Sequence, residues 1–300
     1  MATAVHKKEP VLLNRRRNAV RVGRQRATWL STHTLIYIIS ALILLIQFFP
    51  LIWALLTSLM TSAETTATPA ALFPAHPTLT SYLQVFQGEL GHYYINSIIA
   101  ATISAALTMI MATCAAYAFA RLHFRGKRFL LVFVLFFSLF PALVQVIPVY
   151  QILQGLHLIG TIGALILPYT VFGLPLAVLI LMAFFQEVPG ELEEAAIVDG
   201  LSRFTAFLRI VLPMVVPGLF AAAVIVFVNN WNEYLFALNY TTGNTYTLPV
   251  GIVTISQTEF TTNFSLLSAA TILSVIPLVV LILLLERRIV SGLTAGALKG

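Results

Sequence analysis

The chain has 300 residues, of which 59% are hydrophobic and 9% charged. Soluble domains carry roughly 25% charged residues, so this composition excludes an aqueous globular protein. The formal charge of +6 comes from basic residues that border apolar runs, which reads as a membrane-topology signal and not as a nucleic-acid footprint.

Residues 1–33 form a basic arm with Lys7, Lys8, Arg15, Arg16, Arg17, Arg21, Arg24 and Arg26. It reads as a partly disordered tail held near anionic lipid headgroups. The apolar run behind it is longer than that of a cleaved signal peptide. Long apolar runs then recur at 35–59, 95–119, 129–153, 163–185, 215–238 and 266–285. Each has about 20 residues or more, enough at about 1.5 Å per residue to cross roughly 30 Å of hydrocarbon. The alternation of a β-barrel is absent, and helices are the remaining way to satisfy backbone polar groups in lipid. The expected fold is an all-α integral membrane protein with six transmembrane helices in a permease domain over 34–286.

The loops carry further signals. Residues 61–92 are rich in Thr, Ala and Pro, with a short amphipathic helix expected over 79–86. Arg121, Arg125, Lys127 and Arg128 lie between the second and third runs, Arg203 and Arg209 before the fifth, and Arg287, Arg288 and Lys299 after the sixth. The loops after runs one, three and five have no Lys or Arg. The positive-inside rule then places both termini, and the loop at 187–213, in the cytoplasm. Cys114, alone in the second run, reads as an inert, buried small apolar residue. Pro50, Pro141, Pro148, Pro168 and Pro175 predict kinks, either around a polar pathway or in a static bundle.

The acidic stretch from Glu191 through Glu193, Glu194, Ala195 and Ala196 to Asp199 and Gly200 reads as helix, tight turn, helix. Pro189 and Gly190 break the chain before it, Gly200 suits a left-handed C′ position, and Ser202 can cap the second helix. Run five ends in Asn229, Asn230, Trp231, Asn232, Glu233 and Tyr234. Ionisable and amide groups at that depth mark an interior or a pathway. They form either a sugar-binding or gating surface or an interhelical polar clasp. Helical spacing puts Asn229, Asn232 and Glu233 on one face. The loop at 241–265, with Thr247, Leu248, Pro249 and Gly251, is long for a passive connector and is expected to dock or probe something outside. The tail at 287–300, with three glycines, allows an extended path in a partner groove.

Some chemistry is missing. No phosphate-binding G-x-x-x-x-G-K-[ST] loop occurs, the histidines have no metal-ligand spacing, and no nucleophile elbow is present. Catalysis by this chain is not expected, and its spans hold few carboxylates besides Glu233. A helix-turn-helix reading of the acidic stretch fails because Glu187, Glu191, Glu193, Glu194 and Asp199 outnumber Arg203 and Arg209, so phosphate would be repelled.

Glu194-Ala195-Ala196, then Gly200, then Ile210, Leu212 and Pro213 is similar to the "EAA" loop of ABC-importer permeases, E-A-A-x₃-G-x₉-I-x-L-P, at every anchor position. From about run one to Gly300 the chain resembles permeases of the maltose-type, binding-protein-dependent carbohydrate importers. The resemblance implies a type I importer permease fold with a cytoplasmic coupling helix, in which Glu191, Glu194, Ala195, Ala196, Asp199 and Gly200 seat on a dimer of ATP-binding subunits. ATP and Mg would sit on those partner chains, with no cofactor on this one. The resemblance also implies a second permease chain sharing the pore, and an extracytoplasmic sugar-binding protein reached through Thr247, Leu248, Pro249 and Gly251. The lack of Lys and Arg in the runs and outer loops favours a neutral mono- or oligosaccharide over a phosphorylated sugar, with another polyol or a glycerol-phosphate-type solute as the alternative cargo. An ATP-independent secondary carrier is the alternative from another class.

Overall fold

The computed structural model describes residues 10–69, 71–258 and 263–297, with side chains over 34–69, 71–255 and 263–284. Among the described residues the chain is helical, with no strand. It divides into two compact units, Met1–Ala54 and Leu55–Gly300.

The first unit is the bulk of α1 (Pro10–Ser58), which carries Pro50 inside it. The arm expected to be disordered is helical from Pro10 onward, while Lys7 and Lys8 lie outside the described residues. From residue 35 the helix is apolar all round, as a helix in hydrocarbon is.

The second unit begins with α2 (Ser62–Thr65), closed by a capping box between Thr61 and Glu64. The Glu64 carboxylate also accepts from the Ala75 and His76 amides at 3.0 and 3.2 Å. These bonds, led by the one from the Thr61 amide, hold its pKa below the usual value. The expected amphipathic helix is present as α3 (Thr80–Gln87), which buries Ser81 and Val85 and exposes Leu83 and Phe86.

The central rod is α4 (Glu89–Arg121). Its buried face is a run of small residues: Ser97, Ala101, Ser104, Ala105, Thr108, Ala112 and Ala116. Small side chains let backbones approach where lipid supplies no hydrophobic drive between helices, and α4 packs most extensively on α7 (Gly163–Glu187) and then on α11 (Val216–Trp231). Cys114, expected to be buried, is exposed on α4, because it lies off the small-residue face.

Run three is broken where a kink was expected. α5 (Lys127–Ser138) and α6 (Ala142–Gly155) meet at 101°. Pro141 sits at the break with φ −57° and ψ 133°; it lacks an N–H and cannot continue α5. Pro168 and Pro175 remain inside α7 without breaking it. Run five is also broken. A segment over Arg203–Met214 meets α11 at 74°. It comprises α9 (Arg203–Ala206), a π-helical stretch at Phe207–Val211 and α10 (Leu212–Met214). A proline stands in the first turn of α11, where its missing N–H is harmless. Among the described residues, four helices are long and apolar enough to cross a membrane, or up to six when each bent pair counts as one span.

The loop expected at 241–265 is mostly structured. After α12 (Leu235–Tyr240) and a 3₁₀ turn at Gly243–Thr245 comes α13 (Leu248–Thr258). The final helix, α14 (Phe264–Ala297), contains Pro277. It absorbs most of the tail expected to be extended, and Lys299 and Gly300 lie outside the described residues.

Candidate functional site

The acidic loop starts where α7 stops. Val188 and Pro189 are extended, and α8 (Gly190–Val198) follows. α8 ends as its sequence predicts: Gly200 has φ 92°, the Leu201 amide donates to the Ala196 carbonyl and the Gly200 amide to the Ile197 carbonyl, both at 3.0 Å. These are the two bonds of a Schellman cap. Ser202 then caps α9, its hydroxyl accepting from the Thr205 amide at 3.2 Å.

The candidate coupling residues divide by face. Glu191, Glu194, Ala195, Asp199 and Gly200 are exposed, whereas Ala196 is buried within its own chain. Its small side chain serves packing within the chain. The exposed face also carries apolar groups that sequence reasoning passed over: Val198 is 87% and Phe204 69% exposed. Bulky apolar side chains beside carboxylates at a loop tip are what a protein-docking surface offers.

The inner face of α8 holds a second omission. Glu193 is 8% exposed, and its carboxylate accepts the Tyr117 hydroxyl at 2.5 Å. The Tyr117 ring lies 4.5 Å from Phe207, tilted, and 5.8 Å from Phe185, edge-on. One turn further along α4, the Arg121 guanidinium donates to the Val188 carbonyl at the α7–α8 elbow. Glu193 and Ala196 are three apart and share the buried face, a spacing legible in the sequence once Ala196 is taken as packing.

At the far end of α11 the polar cluster also divides. The helix stops at Trp231, so Glu233 does not share a helical face with Asn229 and Asn232 as expected. Glu233 instead caps α12, accepting from the Phe236 and Ala237 amides at 2.8 and 3.1 Å and from the Tyr169 hydroxyl at 2.7 Å. Asn230 donates to the Ser104 hydroxyl at 2.9 Å, and the Trp231 indole to the Ser274 carbonyl at 3.1 Å. Tyr234 packs against the cluster around Tyr169 and Tyr240. These contacts form the polar clasp. Asn229 and Asn232 are exposed; the Asn232 amide donates within its own turn, to the Val228 carbonyl at 2.9 Å.

Near this cluster, the break in run three leaves a cavity of about 230 Å³ lined by Phe137, Ser138, Phe140, Gln145, Phe172 and Phe236 among others. The Gln145 amide spans the break to the Phe140 carbonyl at 2.9 Å.

The residues expected to face outward at 247–251 are turned inward. Thr247 is 3% and Leu248 0% exposed, the Leu248 amide donates to the Ser97 hydroxyl at 2.8 Å, and Gly251 is packed on the Tyr93 ring. Pro249 is half-buried. The physical reason is α13, which seats this stretch against α4. Among the described residues, Thr242, Gly243 and Asn244 before α13 and Phe264 after it are exposed.

Residues 110–294 match the family model of the binding-protein-dependent transport system inner membrane component. The chain is 40% identical over 276 residues to the sulfoquinovosyl glycerol transport system permease protein SmoH of Agrobacterium fabrum, covering 91% of this chain and 96% of that protein. It is 36% identical over 271 residues to the trehalose/maltose transport system permease protein MalG of Thermococcus litoralis, covering 89% and 97%. Its fold matches a chain of a bacterial ABC transporter involved in the import of the acidic polysaccharide alginate, with a TM-score of 0.72 at 18% identity over 95% of this chain and 99% of that one. These relatives are transport permeases, not enzymes. With several apolar helices, the chain belongs to the family of binding-protein-dependent transport system inner membrane components, as a multi-pass ABC-importer permease of the maltose-type carbohydrate-uptake group.

Proposed function

We propose that the chain is half of the translocation pathway of an ATP-driven sugar importer, with α8 as the element that docks on a dimer of ATPase subunits. The observation that carries this reading is the exposed surface of α8 and α9, where Glu191, Glu194 and Val198 before the Schellman turn, Asp199 within it and Phe204 after it all face away from the chain. Counting each bent pair as one crossing gives six spans. With the basic residues inside, both termini and α8 face the cytoplasm, leaving residues 1–33 and 287–300 as cytoplasmic extensions of a permease domain over 34–286.

Asn229 and Asn232 line the pathway, because they are the members of the polar cluster whose amides face away from the clasp. A second permease chain completes the pore. Among the described residues of its loop, the exposed 242–244 turn, and not the buried 247–251 stretch, offers a surface to an extracytoplasmic binding protein. The cargo is a neutral mono- or oligosaccharide: the apolar runs at 35–59, 95–119, 129–153, 163–185, 215–238 and 266–285 and the outer loops hold no Lys or Arg to pair with an anion. Relatives named for trehalose and maltose support a sugar, and a fold neighbour from an importer of an acidic polysaccharide makes an anionic sugar the competitor to include in the uptake assay.

The deciding experiment is uptake of labelled sugars by vesicles containing the two permease chains, the ATPase and the binding protein. Uptake should require ATP; uptake that persists without the ATPase subunits would overturn the reading in favour of a secondary carrier. In the same vesicles Asn232→Ala should raise the half-saturating sugar concentration about fivefold, the worth of one hydrogen bond, with ATPase attachment unchanged. Unaltered uptake would assign Asn232 to packing.

A further inference from the structure

α8 is continuous in sequence with α7, and through α9 with α11, but it is joined to α4 by side chains. We propose that Tyr117, Arg121 and Glu193 form a latch that carries displacement of α8 into α4. Glu193 is then the inward positioning residue of the coupling element, while Glu194 beside it faces the partner. The inference rests on the coupling reading of α8 above.

Three features support the latch. The Glu193 carboxylate is buried, and the Tyr117 hydroxyl meets it at 2.5 Å. A hydrogen bond to a charged group is roughly twice as strong as a neutral one, and a buried carboxylate without a partner is costly, so this contact persists as α8 moves. The Tyr117 ring is held between Phe185, near the end of α7, and Phe207, at the start of the π-helical stretch. It is thus gripped by the chain on both sides of α8. The Arg121 guanidinium fixes the elbow itself by donating to the Val188 carbonyl. Its Nε is buried and has no acceptor among the described residues, leaving one donor for a different arrangement of the elbow.

The destination of the motion is also defined. Tyr117 and Ser104 lie on the same rod, about 20 Å apart along a helix rising about 1.5 Å per residue. Ser104 accepts from Asn230, which is next to Asn229 and two residues from Asn232. Thr108, one turn from Ser104, donates to the Thr170 carbonyl of α7 at 3.1 Å. Movement of α8 therefore reaches the polar end of α11 through α4, by a route independent of the chain that links α8 to α11.

The test uses the full complex in vesicles and reads the ratio of sugar imported to ATP hydrolysed. Tyr117→Phe should lower that ratio about tenfold, the loss of one charge-assisted bond, with the ATPase still co-purifying in wild-type amount. Glu193→Gln, whose amide oxygen can still accept from Tyr117, should retain far more coupling than Glu193→Ala. An unchanged ratio in Tyr117→Phe overturns the latch, as does a variant that loses ATPase subunits while its remaining complexes couple normally. If Tyr117→Phe does not insert, the Glu193 pair decides, and equal ratios for Gln and Ala overturn the proposal. A wild-type complex that hydrolyses ATP without moving sugar removes the proposed function itself, a failure visible before any variant is made.

Discussion

Gly200→Asp is expected to leave the chain in the membrane and abolish ATP-driven uptake. Gly200 adopts φ 92°, and a side chain there would meet no atom within 4 Å. The cost is therefore one of backbone conformation, roughly 1–2 kcal/mol for an L-residue in the left-handed region. That strain falls on the two amide–carbonyl hydrogen bonds that close α8. The added carboxylate also joins Glu191, Glu194 and Asp199 on the exposed face proposed to dock, where like charges repel. Gly200→Asn, which tolerates the left-handed region without adding charge, should keep most of the activity. Membrane insertion, ATPase co-purification and uptake measured together check this; normal uptake by Gly200→Asp would remove the turn from the coupling element.

Gly251→Ala is expected to destabilise the protein by about 1–3 kcal/mol, the usual cost of overpacking. A Cβ at that position would lie 2.2 Å from Cδ2 of Tyr93. The ring cannot swing clear: Tyr93 is 5% exposed, its hydroxyl donates to the Glu89 carboxylate at 2.9 Å, and Tyr246 stands edge-on at 5.8 Å. Thermal unfolding in detergent should show the loss, and Tyr93→Ala in the same chain should recover part of it. A residue that only touched a binding protein would behave differently, with uptake reduced at unchanged thermal stability. A Gly251→Ala variant as stable as wild type would mean that α13 is not seated on α4.

How far the sequence reveals the molecule depends on the range of the interaction concerned. The apolar runs and the α8 turn are local: burial in lipid demands helix, and Pro189, Gly200 and Ser202 act through the few residues beside them. Sidedness on α8 is less visible. Three carboxylates at 191, 193 and 194 look alike in composition, and the assignment of Glu193 inward depends on Tyr117, 76 residues away. The residues at 247–251 mislead because a polar loop can still fold back as a helix, and nothing local to Leu248 announces its bond with Ser97. Pro141 marks a disturbance in run three, but the 101° break depends on how α6 packs against α12.

The short α11 has a consequence for the surrounding bilayer. Its 16 residues measure roughly 24 Å at about 1.5 Å per residue, less than the roughly 30 Å of a typical hydrocarbon core, so run five completes a crossing only with the segment at Arg203–Met214 that meets α11 at 74°. A crossing built from a short helix and a steeply inclined one is matched to the bilayer by thinning the lipid beside it. Bilayer thickness is then expected to bear on this run more than on α4, whose 33 residues measure roughly 50 Å and can tilt.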